Sequence, residues 1–156
     1  MAGTDCNRRI VFIGADHAGF AAKTHATGYL REKGYAETVR DMGTDTEERS
    51  DYPDYGVAVA KAVTAEKDAL GIVICGTGIG ISIAANKVRG ARAALCTTPV
   101  HAEMARKHND ANILALGGRT STFSEIEAII DVFFCTDFEG GRHQRRVNKI
   151  HSLTEK

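Results

Sequence analysis

Short apolar runs alternate along this chain with stretches of helical spacing. Arg9-Ile10-Val11-Phe12-Ile13-Gly14 is apolar at nearly every position, which predicts a strand covered on both faces, as in a parallel sheet. From Ala18 to Lys33 the period becomes helical, through Phe20, Ala21, Thr24, Tyr29 and Leu30, with Gly34 as a stop. Ala36 to Arg40 reads as a second short strand. The polar stretch from Asp41 to Asp54, closing in Asp51-Tyr52-Pro53-Asp54-Tyr55, reads as a long loop of the length that often carries function. Asp54 is the expected N-cap of a helix through Val57, Ala58, Ala60 and Val63 that ends near Glu66.

Ile72-Val73-Ile74-Cys75 then runs into Gly76-Thr77-Gly78-Ile79-Gly80 and a further helix to Asn86. A strand over Ala91 to Cys96, a helix from Pro99 to His108 and a strand over Asn112 to Leu116 follow. Thr122 to Cys135 is an apolar helix around Ile126, Ile129, Ile130, Phe133 and Phe134, and a basic helix runs from Arg142 to Leu153 after Gly140-Gly141. Strands and helices in this alternation predict one α/β domain: a five-stranded parallel, Rossmann-like sheet in a three-layer α/β/α sandwich.

The 156 residues suit one domain, assigned to residues 9–156, with residues 1–8 as a flexible leader. Lysine plus arginine equals aspartate plus glutamate at 20 each, so no global field favours nucleic acid or an anionic membrane. Any anion site must come from local clustering. The cysteines Cys6, Cys75, Cys96 and Cys135 have no C-x-x-C spacing; Cys96 and Cys135 read as buried structural thiols, and a reducing, cytoplasmic setting is expected. Neither a signal peptide nor a membrane span fits the chain.

Ligands of open parallel sheets bind outside the carboxyl ends of the strands. Asp16-His17, the turn from Cys75 to Gly80, the turn after Cys96 and Gly117-Gly118-Arg119 all fall at such ends. Glycines at 76, 78 and 80 do not match the dinucleotide fingerprint G-x-G-x-x-G, and no P-loop lysine follows Gly19. What remains is a turn whose amides can hold an anion or a developing oxyanion. Cys75, at the start of that turn, is placed where a helix N-terminus favours the thiolate, as base or nucleophile. His108 ends a helix, a position that suits a general acid. No histidine has a partner at metal-ligand spacing, so no metal is expected. Arg142, Arg146 and Lys149 share one face of the last helix, opposite Val147, Ile150 and Leu153, and suit a phosphate monoester. Base, acid, oxyanion turn and arginine clamp together fit proton abstraction beside the carbonyl of a small sugar phosphate.

Five stretches closely resemble the type B ribose-5-phosphate isomerases, a group that also includes isomerases of galactose and allose 6-phosphates. They are Ile13 to Phe20, Asp51-Tyr52-Pro53, Cys75 to Lys87, His108-Asn109-Asp110-Ala111-Asn112 and Glu139-Gly140-Gly141-Arg142-His143. The resemblance implies Cys75 as the base shuttling a proton between C1 and C2, and His108 as the group that helps open the furanose ring. It implies substrate contacts at Asp16, His17 and Asn109, enediolate stabilisation by the amides of Gly76, Thr77, Gly78, Ile79 and Gly80, and basic contacts from Arg119, Arg142 and Arg146. It further implies no cofactor and a homodimer or dimer of dimers, with sites at the subunit interface and His108 and Arg119 serving the neighbouring site. A hexose 6-phosphate isomerase and a non-catalytic sugar-phosphate binder are the alternatives.

Overall fold

The computed structural model describes residues 9–155; the expected leader lies outside them. Strands β1 (Arg9–Ala15), β2 (Ala36–Asp41), β3 (Leu70–Cys75), β4 (Ala93–Leu95) and β5 (Ile113–Gly117) form one sheet in the order β2-β1-β3-β5-β4. Every pairing is parallel. The helices are α1 (Phe20–Lys33), α2 (Tyr52–Ala65), α3 (Ile79–Ala85), α4 (Pro99–Asn109), α5 (Phe123–Phe134) and α6 (Arg142–Thr154), with a single 3-10 turn at His17–Gly19 before α1.

Strand alternation sends side chains to two cores. Val11, Ile13, Ile72, Ile74, Leu114 and Leu116 meet Leu30 of α1, Ala102 of α4 and Ile129 and Phe133 of α5. Phe12, Val73, Cys75, Ile113 and Ala115 face the other way, onto Val59 and Val63 of α2 and Ile81 of α3. Burial on both faces is why β3 reads as an unbroken apolar run.

The chain leaves β1 through α1 toward β2 but leaves β3 through α3 in the opposite direction, toward β4. The crevice between the carboxyl ends of β1 and β3 is therefore the topological switch point, where such sheets bind ligands.

Two local expectations differ from the structure. Helix α2 starts at Tyr52 with Asp51 as its N-cap, because Pro53 in the first turn gives up an N–H that has no intrahelical partner anyway. Asp54 thus lies inside the first turn. Cys135 is the exposed C-cap of α5 rather than a buried thiol, whereas Cys96 is buried and its thiol is pushed up to about 12 by burial. On α6 only His143 and Val147 are buried; Ile150 and Leu153 stand 44% and 67% exposed.

Candidate active site

Backbone bonds bring three strand exits together at the carboxyl end of the sheet. Asp16 donates its N–H to the carbonyl of Ile74 (3.2 Å), Gly118 to Cys75 (2.8 Å) and Arg119 to Gly76 (2.9 Å). Between them lies the glycine turn. Gly78 sits at φ 78°, where a Cβ would stand 2.6 Å from Leu95 Cδ1 and 2.8 Å from the carbonyl carbon of Leu116; only glycine fits. That conformation turns the Gly78 N–H onto Cys75 Sγ at 3.2 Å. Cys75 is 4% exposed. The N–H groups of Gly76, Thr77 and Gly80 have no acceptor among the described residues, while that of Ile79 turns to Thr77 Oγ1 (3.3 Å).

Asp16 and His17 close the other side of the crevice. Asp16 is 6% exposed, and its Oδ1 accepts from the N–H groups of Ala18 (2.9 Å) and Gly19 (3.1 Å), so one oxygen is committed to the turn. His17 is held by Ser50 at the far end of the 42–51 loop. Arg119 is exposed and lies over the glycine turn of its own chain: a Cβ on Gly76 would stand 3.6 Å from its Cδ and 3.7 Å from its Nη1. Whereas the resemblance implies that Arg119 serves a neighbouring site, the bonds tying the β5 exit to the β3 exit set it beside the glycine turn of its own chain.

His108, Asn109, Arg142 and Arg146 are elsewhere. Helix α4 runs back from the exit of β4 to the entry of β5, where Asn112 and Ile113 donate to the carbonyl of Arg92, just ahead of β4. His108 and Asn109 therefore stand at the amino end of the sheet. Since β5 has five residues, the two ends are roughly 16 Å apart at about 3.3 Å per residue. The start of α6 joins them there: the rings of His108 and His143 stack with centroids 4.2 Å apart and planes at 11°, and Glu139 donates its N–H to the carbonyl of Lys107. Arg142 and Arg146 are exposed beside that pair. No single chain brings Cys75 and His108 together.

His143 is 4% exposed and its Nε2 has no hydrogen-bond partner among the described residues, with Glu139 Oε2 3.5 Å away. Burial, His108 and Arg142 hold its proton affinity below the ordinary imidazole value. Ser50 does not stand out in the sequence, and His143 is met there only as the last residue of the stretch from Glu139. A helix position four residues before the buried Val147 was the available sign for His143; nothing local marks Ser50, whose role depends on a partner 33 positions away.

Among the described residues, His108, Glu139 and His143 form the one cluster with metal-ligand potential, their ligand atoms within 4.8 Å of one another. The rings are stacked, so their lone pairs lie in nearly parallel planes that do not meet at one ion, and Arg142 and Arg146 disfavour a cation. The group suits an anion better.

The sequence profile described as Ribose/Galactose Isomerase matches residues 11–150. The chain is 44% identical over 149 residues to ribose-5-phosphate isomerase B of Escherichia coli, covering 96% of this chain and 98% of that one. The structure is similar to that of Clostridium thermocellum ribose-5-phosphate isomerase B, at 50% identity with TM-score 0.89, covering 92% of this chain and 96% of the other. It is also similar to Leishmania infantum type B ribose 5-phosphate isomerase, at 43% identity with TM-score 0.90, covering 95% and 97%. No described helix is long and apolar enough to cross a membrane.

Proposed function

Because the chain belongs to the ribose/galactose isomerase family, we propose that it interconverts D-ribose 5-phosphate and D-ribulose 5-phosphate through an enediolate. The observation that carries the reading is the Gly78 N–H aimed at Cys75 Sγ inside the switch-point crevice. The N–H directed at sulfur fixes where that sulfur stands in the crevice, and a sulfur so placed can serve as the base. In the forward direction the Cys75 thiolate takes the C2 proton of the open-chain aldose and leaves an enediolate. The unused amides of Gly76, Thr77 and Gly80 are available to its oxygens. The thiol then returns the proton to C1 while the hydroxyl proton passes from O2 to O1, giving the ketose. Asp16, His17 and Arg119 line the same crevice and hold the sugar phosphate. No cofactor enters this chemistry.

A furanose must open before C2–H becomes acidic. In this reading His108 gives a proton to the ring oxygen as its bond to C1 breaks and the anomeric hydroxyl releases its proton to water, Asn109 contacts the sugar, and Arg142 and Arg146 grip the phosphate bidentately. These four lie at the far end of their own sheet, so they act on the Cys75 of a second copy. A homodimer, alone or paired into a dimer of dimers, supplies both halves. The uncovered side chains of Ile79, Ile83, Val100, Ile150 and Leu153 support such an association, since burying them against another copy removes apolar surface from water.

The test is conversion of ribose 5-phosphate in deuterium oxide, with allose 6-phosphate and galactose 6-phosphate alongside. Isomerisation of the pentose with label at the exchanging carbon is expected. A kcat/KM higher on either hexose phosphate would move the assignment within the family, and binding of all three without turnover would leave only a sugar-phosphate binder.

A further inference from the structure

The polar loop at residues 42–51 is anchored at both ends. At its start, Met42 donates its N–H to Ile13 and Thr44 to Ala15, while Gly43 accepts from Ala15, each at 2.7 Å. Asp41 accepts from the Gly43 N–H (2.8 Å) and is gripped by Lys23, which is 2% exposed. At its end, Asp51 caps α2. Just before that cap, Ser50 makes a two-sided contact with His17. Ser50 Oγ accepts the His17 N–H at 3.1 Å; Nδ1 of the ring is 3.2 Å from both the N–H and the carbonyl oxygen of Ser50.

A backbone N–H can only donate, and a half-buried carbonyl can still turn to water. With a proton on Nδ1, the Ser50 N–H would face another N–H and lose its acceptor. The neutral ring therefore accepts at Nδ1 and carries its hydrogen on Nε2. If the ring gains a second proton, Nδ1–H turns to the Ser50 carbonyl and Nε2 keeps its hydrogen. We propose that Ser50 is a positioning residue that keeps His17 a permanent Nε2–H donor toward an acceptor oxygen of the sugar phosphate. The turn has no other donor to spare, since Asp16 already takes the N–H groups of Ala18 and Gly19. The proposal rests on His17 contacting substrate, as in the reading above.

Long-range nitrogen–proton NMR on imidazole-labelled protein, with His17 assigned by its loss in His17→Asn, reads the tautomer directly. A pyridine-like Nδ1 with a pyrrole-like Nε2 is expected, and the reverse overturns the proposal. In steady-state assays Ser50→Ala, which removes only the hydroxyl contact, should raise KM for ribose 5-phosphate about 3- to 10-fold, the worth of one neutral hydrogen bond, with kcat nearly unchanged. Ser50→Thr should restore it. An unchanged KM in Ser50→Ala, while His17→Asn raises KM, overturns the hydroxyl's part in the positioning, and the backbone contact, which alanine keeps, then stands or falls on the tautomer. An unchanged KM in both variants removes His17 from the substrate contacts, and with it the reading on which the proposal rests.

Discussion

The two ends of the sheet are built in opposite ways. At the carboxyl end, reactive groups are held by backbone: Gly78 N–H on Cys75 Sγ, Gly118 N–H on the Cys75 carbonyl, Ser50 on His17. At the amino end they are held by side-chain stacking and left cationic: His108 on His143, with Arg142 and Arg146 exposed. Proton transfer from carbon needs a base placed to within a fraction of an ångström, which a rigid turn provides. Phosphate capture tolerates longer, freer side chains. The difference teaches that the candidate groups fall into two sets at opposite ends of the sheet, which the proposed function reads as complementary half-sites.

The harshest way to break this picture is Cys75→Ala. Turnover should fall by ~10²-fold or more, as for loss of a positioned base, while isothermal titration still detects the sugar phosphate. Turnover near that of the wild type would sink the assignment. Next, co-expression of Cys75→Ala with His108→Ala chains should restore activity, because a mixed symmetric dimer carries one intact composite site. With random pairing, about one site in four is whole. Activity no higher than that of either parent alone would mean that the half-sites do not combine across subunits.

Arg142→Ala and Arg146→Ala should each raise KM by ~10-fold or more with a smaller change in kcat, since a charge-assisted bidentate contact is lost. Undiminished apparent affinity would take the amino end out of substrate binding. Gly78→Ala tests the carboxyl end as a scaffold. Strained φ and the clash with Leu95 should cost about 2 kcal/mol or more, read as a lower midpoint in urea unfolding, together with lost activity; an unaffected midpoint would show that the turn can relax.

The smallest effect concerns pH. His143 binds its proton less readily in the fold than in the open chain, whose ordinary value is 6.5. Below that value the unfolded chain takes up more protons, so stability falls as pH drops through it. Thermal melts of His143→Gln should show a shallower acid loss than the wild type, and an identical acid slope would remove His143 as the cause.

Much of the carboxyl end is legible in the sequence because its signals are local. An apolar run, alternate glycines and a cysteine at the junction predict a strand, a turn and a thiol at its hinge, and Gly34 at φ 69° stops α1 where a C-cap glycine is expected. The start of α2 was displaced by three residues, since Asp51, Asp54 and a proline between them offer two plausible caps and only the fold selects one. Cys135 is exposed against expectation because an apolar helix does not reveal which side the residue at its end faces.

Local chemistry thus determined from sequence alone that β3 is buried, that a glycine turn joins it to α3 and that α6 carries a basic face. Which residues share a site was decided by tertiary structure. Arg119 joins Cys75 because β5 pairs beside β3, placing two strand exits side by side that are over forty residues apart in sequence. His108 is parted from Cys75 because α4 must run back antiparallel to the strands to reach β5. Ser50 reaches His17 only because β1 anchors the start of its loop and α2 its end. Sequence spacing carries propensity and period; proximity across a sheet comes from strand order, which no single segment encodes.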